Sequence, residues 1–464
     1  MLAVSIVCYL IITILIGFWA SRLVKNSEDF VLAGRSLPLP LAASAMFATW
    51  FGSETILGSS SEFVQHGLIG VVEDPFGAAL CLLLVGVFFA RPLYKMKILT
   101  FGDFYRVKFG KKAELIASLF LVPSYFGWIA AQFVAIGLIL NVVLGIPLEM
   151  GMIGGTVAVL IYTYIGGMWA ISITDFMQTI IIVAGLLFLA FSLSDHAGGV
   201  ATVIDKAPEG FFNFTPEFSY TGITTYIAAW ITIGLGSIPQ QDVFQRVMAA
   251  KSADISVKAS YISAAMYLTI GFIPLFIGLC SKQLYPELME GDAQLVIPNV
   301  VLIHGNLFLQ IMFFGALLSA IMSTSSGAIL APASILAENI IKPYMKNTDD
   351  KKLLQMMRLS VVLVTVFSLI LANMQGNIFD LVSMSSAFSL VSLFIPMIAG
   401  LYFPSFSEKA AILSMFSGMI GWLIFEHYPV ETPSILIGLL FAFVGLMVGR
   451  LFPKSKSTEV KESV

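Results

Sequence analysis

Glu54 sits between Gly52 and Gly58, with Ser53 and Thr55 beside it, in the middle of an apolar run from about Pro40 to Leu68. The run is long enough to cross a bilayer, yet it carries a carboxylate, hydroxyls and helix-weakening glycines at its centre. A plain membrane anchor would not tolerate them. In hydrocarbon every backbone amide and carbonyl must be bonded, so a helix that unwinds at mid-depth needs protein, water or an ion to complete it. The stretch Ala48-Thr49-Trp50-Phe51-Gly52-Ser53-Glu54 therefore reads as an unwound segment whose freed carbonyls hold a cation.

A second set of oxygens lies far along the chain. Leu318 to Gly327 contains four consecutive hydroxyl residues, Ser323, Thr324, Ser325 and Ser326, inside an apolar run. Such hydroxyls can simply bond the carbonyl four residues back. They can also serve sodium, a hard cation that takes about five oxygens and needs no fixed charge beside it. Ala320, Ser323 and Thr324, spaced i, i+3 and i+4, share one helical face. Ala48 and Phe51, spaced i and i+3 at the break, would complete the ligand set of a main sodium site.

The elements that must position these groups are membrane helices. The chain has 464 residues, 58% hydrophobic and 11% charged, with a mean hydropathy of +0.92. Those values lie far outside the soluble globular range and imply an all-α polytopic membrane protein whose principal partner is the lipid bilayer of the cell, inner or plasma, membrane. A net charge of −3 spread over the chain gives no basis for nucleic-acid binding. Cys8, Cys81 and Cys280 all fall in apolar runs, which argues against a disulfide framework. Residues 1–20 lack a basic leader, so they read as a retained span.

Thirteen apolar runs follow one another, at roughly 2–21, 40–68, 71–94, 113–144, 148–169, 173–194, 221–249, 255–281, 299–341, 355–373, 378–403, 408–426 and 432–452. With the amino terminus outside, all but Lys206 and Lys282 of the 25 lysines and arginines fall on the cytoplasmic side. One missed span would flip every later loop and destroy that bias. The second run then starts inside and the seventh outside. The seventh is also interrupted, by Gly234-Leu235-Gly236-Ser237-Ile238-Pro239, and continues polar through Gln240, Gln241 and Asp242. Two broken helices heading two five-span blocks of opposite orientation are the pattern of a secondary transporter built as an inverted repeat. The expected organisation is an extra N-terminal helix over 1–24, a first five-helix repeat over 38–195 and a second over 220–404. Two C-terminal helices over 405–452 and a cytoplasmic tail over 453–464 complete it.

These residues resemble the sodium:solute symporters, which include sodium/proline, sodium/sugar, sodium/sialic acid and high-affinity choline transporters. The resemblance spans about Phe30 to Pro404. It rests on Gly34-Arg35-Ser36-Leu37, on Ile161-Tyr162-Thr163-Tyr164-Ile165-Gly166-Gly167 followed by Thr174-Asp175, on Gln245-Arg246 and on Met322-Ser323-Thr324. Ala48-Thr49-Trp50, Phe88-Phe89-Ala90-Arg91-Pro92 and Ile238-Pro239 with Phe244-Gln245-Arg246 look most like the choline branch. The resemblance implies the leucine-transporter fold, alternating access and sodium (Na+) as the coupling ion, at Ala48, Phe51, Ala320, Ser323 and Thr324. It also implies a second sodium between Asp175, Ser323 and Ser326, although Gly327 replaces a hydroxyl residue there.

For the solute, choline-type pockets box a quaternary ammonium with aromatic faces, and a desolvated cation over tryptophan gains on the order of 2 kcal/mol. Trp50 and Trp128 match two such positions, whereas Gln240 replaces a tryptophan and Ala78 a tyrosine. The chain adds Glu54, Asp74 and Asp242 in or beside the broken segments, with Gln132 and Gln241 as polar neighbours, and places no Lys or Arg at mid-depth. Buried carboxylates without a basic partner are either protonated or paired with a cation. The leading expectation is thus a sodium-coupled importer of a small cationic or zwitterionic solute, a choline-like amine or amino acid. Alternatives are a proton-coupled, sugar or monocarboxylate symporter of the same family, or a transporter-like receptor or channel. An enzyme is not expected, because His66, His196, His304 and His427 are scattered near the outer face or in loops.

Overall fold

The computed structural model describes residues 1–346, 348–373 and 377–452. The tail expected over 453–464 lies outside the described residues. Among the described residues there is no strand, only a bridge between Leu37 and Ala250. Among the described residues, nine helices are long and apolar enough to cross a membrane, and a tenth forms if Tyr220–Gly236 and Gln241–Ala249, bent by 47°, are one broken span.

Every predicted apolar run falls on helix, but the helices divide differently from the runs. The runs at 148–169 and 173–194 form a single 49-residue helix, Leu148–His196, kinked at Gly167 where φ is 50°. A Cβ there would lie 2.4 Å from the carbonyl oxygen of Phe30, so only glycine fits both the angle and the contact. The run at 299–341 is split instead. Val296–His304 stops before Gly305, and the Asn306 side chain accepts from the Leu309 amide to start Leu307–Ile335. Nine or ten spans by length, against thirteen runs, follow from the fusion over 148–196, from the breaks in the runs at 40–68 and 221–249, and from Ser434–Gly449, whose 16 residues fall below the ~20 a crossing needs.

The first broken helix starts at Leu39 behind Pro38, with Pro40 in its first turn, and runs to Ala48. Regular helix then stops. The chain resumes as a five-residue π-helical turn, Glu54–Gly58, and continues as Ser59–His66. Leu307–Ile335 is the central post, buried without interruption from Ala316 to Ile335. It packs against Leu148–His196 and Lys111–Leu144, while Leu2–Ala20 lies along the outside of Leu148–His196. Large apolar side chains such as Phe191 and Leu440 remain exposed on the periphery, where lipid would cover them.

Candidate functional site

The break after Ala48 faces the hydroxyl run of the central helix. Ser323 Oγ donates to the Ala48 carbonyl at 3.1 Å and Thr324 Oγ1 to the same oxygen at 3.2 Å. Three oxygens at about this spacing match adjacent ligands around a cation held at roughly 2.3–2.6 Å. Phe51 and Ala320 are fully buried on the same two segments. Ser325 behaves differently from its neighbours, since its hydroxyl returns to the Ile321 carbonyl at 2.6 Å. Asp175 reaches the cluster as the alternative acceptor for the single hydroxyl hydrogen of Ser323, whereas Ser326 donates to the Ser323 carbonyl at 2.9 Å.

Next to these oxygens is a cavity of about 330 Å³ of atom-free space, at the lower end of the roughly 300–1,000 Å³ usual for small-molecule sites. Six of the nine predicted solute residues line it: Trp50, Glu54, Asp74, Ala78, Trp128 and Gln240. Glu54 accepts from Trp128 Nε1 at 2.9 Å and from Gln132 Nε2 at 2.8 Å. Gln132 in turn accepts from Ser53 Oγ at 3.0 Å, which fixes its amide. Asp74 takes the hydroxyl of Ser59 at 2.8 Å. No lysine or arginine is in the lining.

Asp242 stands behind this wall. It accepts from Trp50 Nε1 at 2.9 Å and Tyr125 OH at 2.5 Å, tying the second broken helix to the first across the break. Each tryptophan of the cavity thus donates its indole N–H to a buried carboxylate, which fixes the ring and leaves its faces for packing. Gln241 points elsewhere: its Oε1 accepts from the Phe101 amide at 2.6 Å and its Nε2 donates to Ser334 at 3.2 Å.

Sequence reasoning missed the rest of the lining, formed by Ile233, Ser237, Val382, Ser385 and Ser386. Ser237 and Ser386 share a hydrogen bond at 3.1 Å, and Gln240 donates to Ser389 at 3.1 Å. The available signal was the density of serines between Ser383 and Ser392 in an apolar run, of the same kind as in the central helix. Among the described residues no three His, Cys, Asp or Glu side chains gather to hold a metal.

The relatives of this chain fit that geometry. Residues 30–418 match the sodium:solute symporter family. The high-affinity choline transporter 1 of Drosophila melanogaster is 28% identical over 433 residues, covering 89% of this chain and 69% of that protein. Its counterpart in Homo sapiens is 25% identical, covering 90% and 75%. Among solved structures, a sodium-coupled sialic acid symporter in a substrate-bound outward-open state superposes with a TM-score of 0.86 at 19% identity, covering 98% of both chains. A family match over most of the length, and a fold shared with a sodium-coupled symporter, agree with oxygens gathered at a helix break beside a solute-sized cavity: this chain is an integral membrane protein that belongs to the sodium:solute symporter family.

Proposed function

We propose that the protein imports a small organic cation or zwitterion, driven by sodium bound at Ala48, Phe51, Ala320, Ser323 and Thr324. One observation carries the reading: a cavity lined by Glu54, Asp74, Trp50 and Trp128, without a basic side chain, adjoins the paired hydroxyls at the helix break. Two carboxylates there offer a positive group what water offered it outside, and the indole faces add an electrostatic attraction. Ser237, Gln240 and Ser386, also in the lining, suit a hydroxyl or carboxylate at the other end of the solute. A choline-like amine or an amino acid meets both demands, and the names of the relatives support the amine. Ala78 and Gln240 leave the aromatic cage half built, which favours solutes whose ammonium also donates hydrogen bonds to Glu54 or Asp74.

In this reading the chain crosses the membrane thirteen times, with Leu148–His196 divided at Gly167. Its amino end is outside and its carboxyl end cytoplasmic, as the positive charge distribution supports. Residues 38–195 and 220–404 are the two inverted repeats of a leucine-transporter fold, and their broken helices meet at the Trp50–Asp242 hydrogen bond.

The test is a thermal-shift screen of amines, amino acids, sugars and carboxylates, each with and without sodium. A solute present at a hundred times its Kd stabilises the folded state by about 2.7 kcal/mol. Stabilisation by amines or amino acids that requires sodium is the expected result. Stabilisation by sugars or simple anions alone would overturn the solute assignment, and indifference to sodium would overturn the coupling. Within the same assay, Trp50→Ala is expected to weaken binding of the cationic solute about tenfold or more, while leaving sodium binding within twofold. The backbone at the break survives that change, whereas the aromatic face does not. Loss of sodium binding in Trp50→Ala would instead make Trp50 a support of the break.

A further inference from the structure

Unpaired positive charge gathers at one end of the helix that carries Trp128 and Gln132. Glu408, which opens Glu408–His427, accepts from the Lys112 amide at 2.9 Å and the Ala113 amide at 3.4 Å, so its carboxylate caps Lys111–Leu144. Gly110 allows the approach, because a Cβ there would lie 2.6 Å from Glu408 Oε1. The contact brings Lys111 and Lys112 beside Lys409. Ser434–Gly449 ends at the same place, since a Cβ on Gly449 would stand 2.3 Å from the Ala410 Cα. Just beyond it, Arg450 lies over the Phe406 ring at 5.9 Å and Lys409 over the Phe452 ring at 5.5 Å. Lys108 adds a fifth charge from the short helix Phe101–Lys108. Its Cβ is packed so closely on Gly400, near the end of Ile378–Tyr402, that an added Cβ at 400 would stand 3.2 Å from it.

Lys111, Lys112, Lys409 and Arg450 are exposed and Lys108 is half-buried. Among the described residues none of the five forms an ion pair. The nearby carboxylates are already engaged, Glu408 by two amides and Asp103 and Glu114 by Arg106. A positive-inside bias asks only that lysines and arginines lie on one side of the membrane. It does not ask five of them to converge from separate helix ends and stay unpaired. Along the two C-terminal helices Phe416, Val444 and Val448 are exposed, so the surface passes from cationic to apolar within a few turns. An occupant that matches it brings a negative head and hydrocarbon chains together. We propose that the patch binds an anionic phospholipid, its phosphate among Lys111, Lys112, Lys409 and Arg450 and its chains along Glu408–His427 and Ser434–Gly449. The assignment rests on the orientation given above, which makes this face cytoplasmic, and not on the identity of the solute. It bears on transport all the same. Lys111–Leu144 holds Glu54 through Trp128 and Gln132, and Ile378–Tyr402 supplies Ser385 and Ser386 to the cavity. A lipid head seated where these helices end ties one wall of the solute site to another.

The test is the melting of the purified full-length protein in neutral detergent, titrated with phosphatidylglycerol, phosphatidylcholine or inorganic phosphate. Phosphatidylglycerol is expected to raise the melting temperature saturably, because a ligand of the folded state stabilises it, and the other two to leave it unchanged. With Lys111→Gln, Lys112→Gln and Lys409→Gln together, the half-maximal lipid concentration should rise on the order of a hundredfold, at about fivefold per lysine. Lys25→Gln, Lys251→Gln and Lys258→Gln remove the same charge elsewhere on that face and should change it less than about twofold. Should the first triple variant fail to fold, Lys108→Gln with Arg450→Gln takes two charges from the patch through other elements and is expected to weaken binding at least tenfold. Equal stabilisation by phosphatidylcholine would reduce the effect to the chains and overturn the proposal. Equal stabilisation by phosphate would put a free anion in the patch and overturn the lipid. A patch variant that responds like the wild-type protein, or a control triple that loses as much, would overturn the location. The sodium-dependent solute screen stands apart from every one of these results, so symport and lipid binding fail separately.

Discussion

Replacing Ser323 and Thr324 together by alanine is expected to raise the sodium concentration for half-maximal uptake more than tenfold, a loss of more than about 1.4 kcal/mol of ion binding. The double substitution removes two of the five proposed ligand oxygens, and both are hydroxyls that converge on the Ala48 carbonyl. Alanine supplies no substitute, and the dense packing around 323 and 324 leaves little room for water to take their place. Ser325→Ala is the matched control. Its hydroxyl bonds the Ile321 carbonyl of its own helix, so sodium dependence is expected to change less than twofold. Uptake into proteoliposomes across a sodium titration, with melting temperature measured in parallel, separates a lost ligand from a lost fold. Unchanged sodium dependence in the double variant would remove the site.

In the proposed arrangement one short segment couples sodium to solute. Ala48 and Phe51 belong to the proposed ion site, while Trp50 and Glu54, between and just beyond them, line the cavity. Ordering the break around an ion therefore orders two walls of the solute site, and the solute must strengthen ion binding by the same factor. Lys111–Leu144 stiffens the arrangement from behind, since Trp128 and Gln132 hold Glu54 and Tyr125 holds Asp242.

Much of this was legible in the sequence for physical reasons. A glycine-flanked carboxylate inside an apolar run is costly enough in lipid to mark the break at 49–53 without any structure. The 3.6-residue period likewise puts Ala320, Ser323 and Thr324 on one face. What the chain alone hid depends on which way a side chain turns or which distant element it meets. The sequence puts Asp242 beside the second break, but its role behind Trp50 arises from a pairing 192 residues apart. Gln241, one residue earlier, faces Phe101 and Ser334 because helical geometry rotates adjacent residues by about 100°. The serines of 378–403 carry no such mark in the sequence, since a cavity-lining hydroxyl and a back-bonding one look alike; Ser386 lines the cavity, whereas Ser392 bonds the Phe388 carbonyl. The kink at Gly167 was hidden for a similar reason: the pair Gly166-Gly167 does not say which glycine adopts the left-handed angle, or that Phe30 presses against it.

Gly52→Ala is expected to lower sodium-driven uptake at least a hundredfold, although it adds a single methyl group. Gly52 does not occupy the left-handed region, so its backbone angle accepts alanine and the effect comes from contact alone. The added Cβ would stand 2.5 Å from Thr324 Oγ1, 2.9 Å from Thr324 Cβ and 2.7 Å from Glu54 Oε2. Atoms cannot approach that closely, so the central helix must retreat from the break or Glu54 must leave its bonds with Trp128 and Gln132. The first response opens the ion site and the second disorders the solute site, and coupled transport needs both. Gly315→Ala, on the same central helix but with nothing within 4 Å of its new Cβ, is expected to transport normally. It should melt no lower than the wild-type protein, because alanine is favoured over glycine in a helix by up to about 1 kcal/mol. Uptake by Gly52→Ala within twofold of wild type would mean that Thr324 and Glu54 do not close around residue 52 during transport, and the junction between ion and solute sites would have to lie elsewhere in the chain.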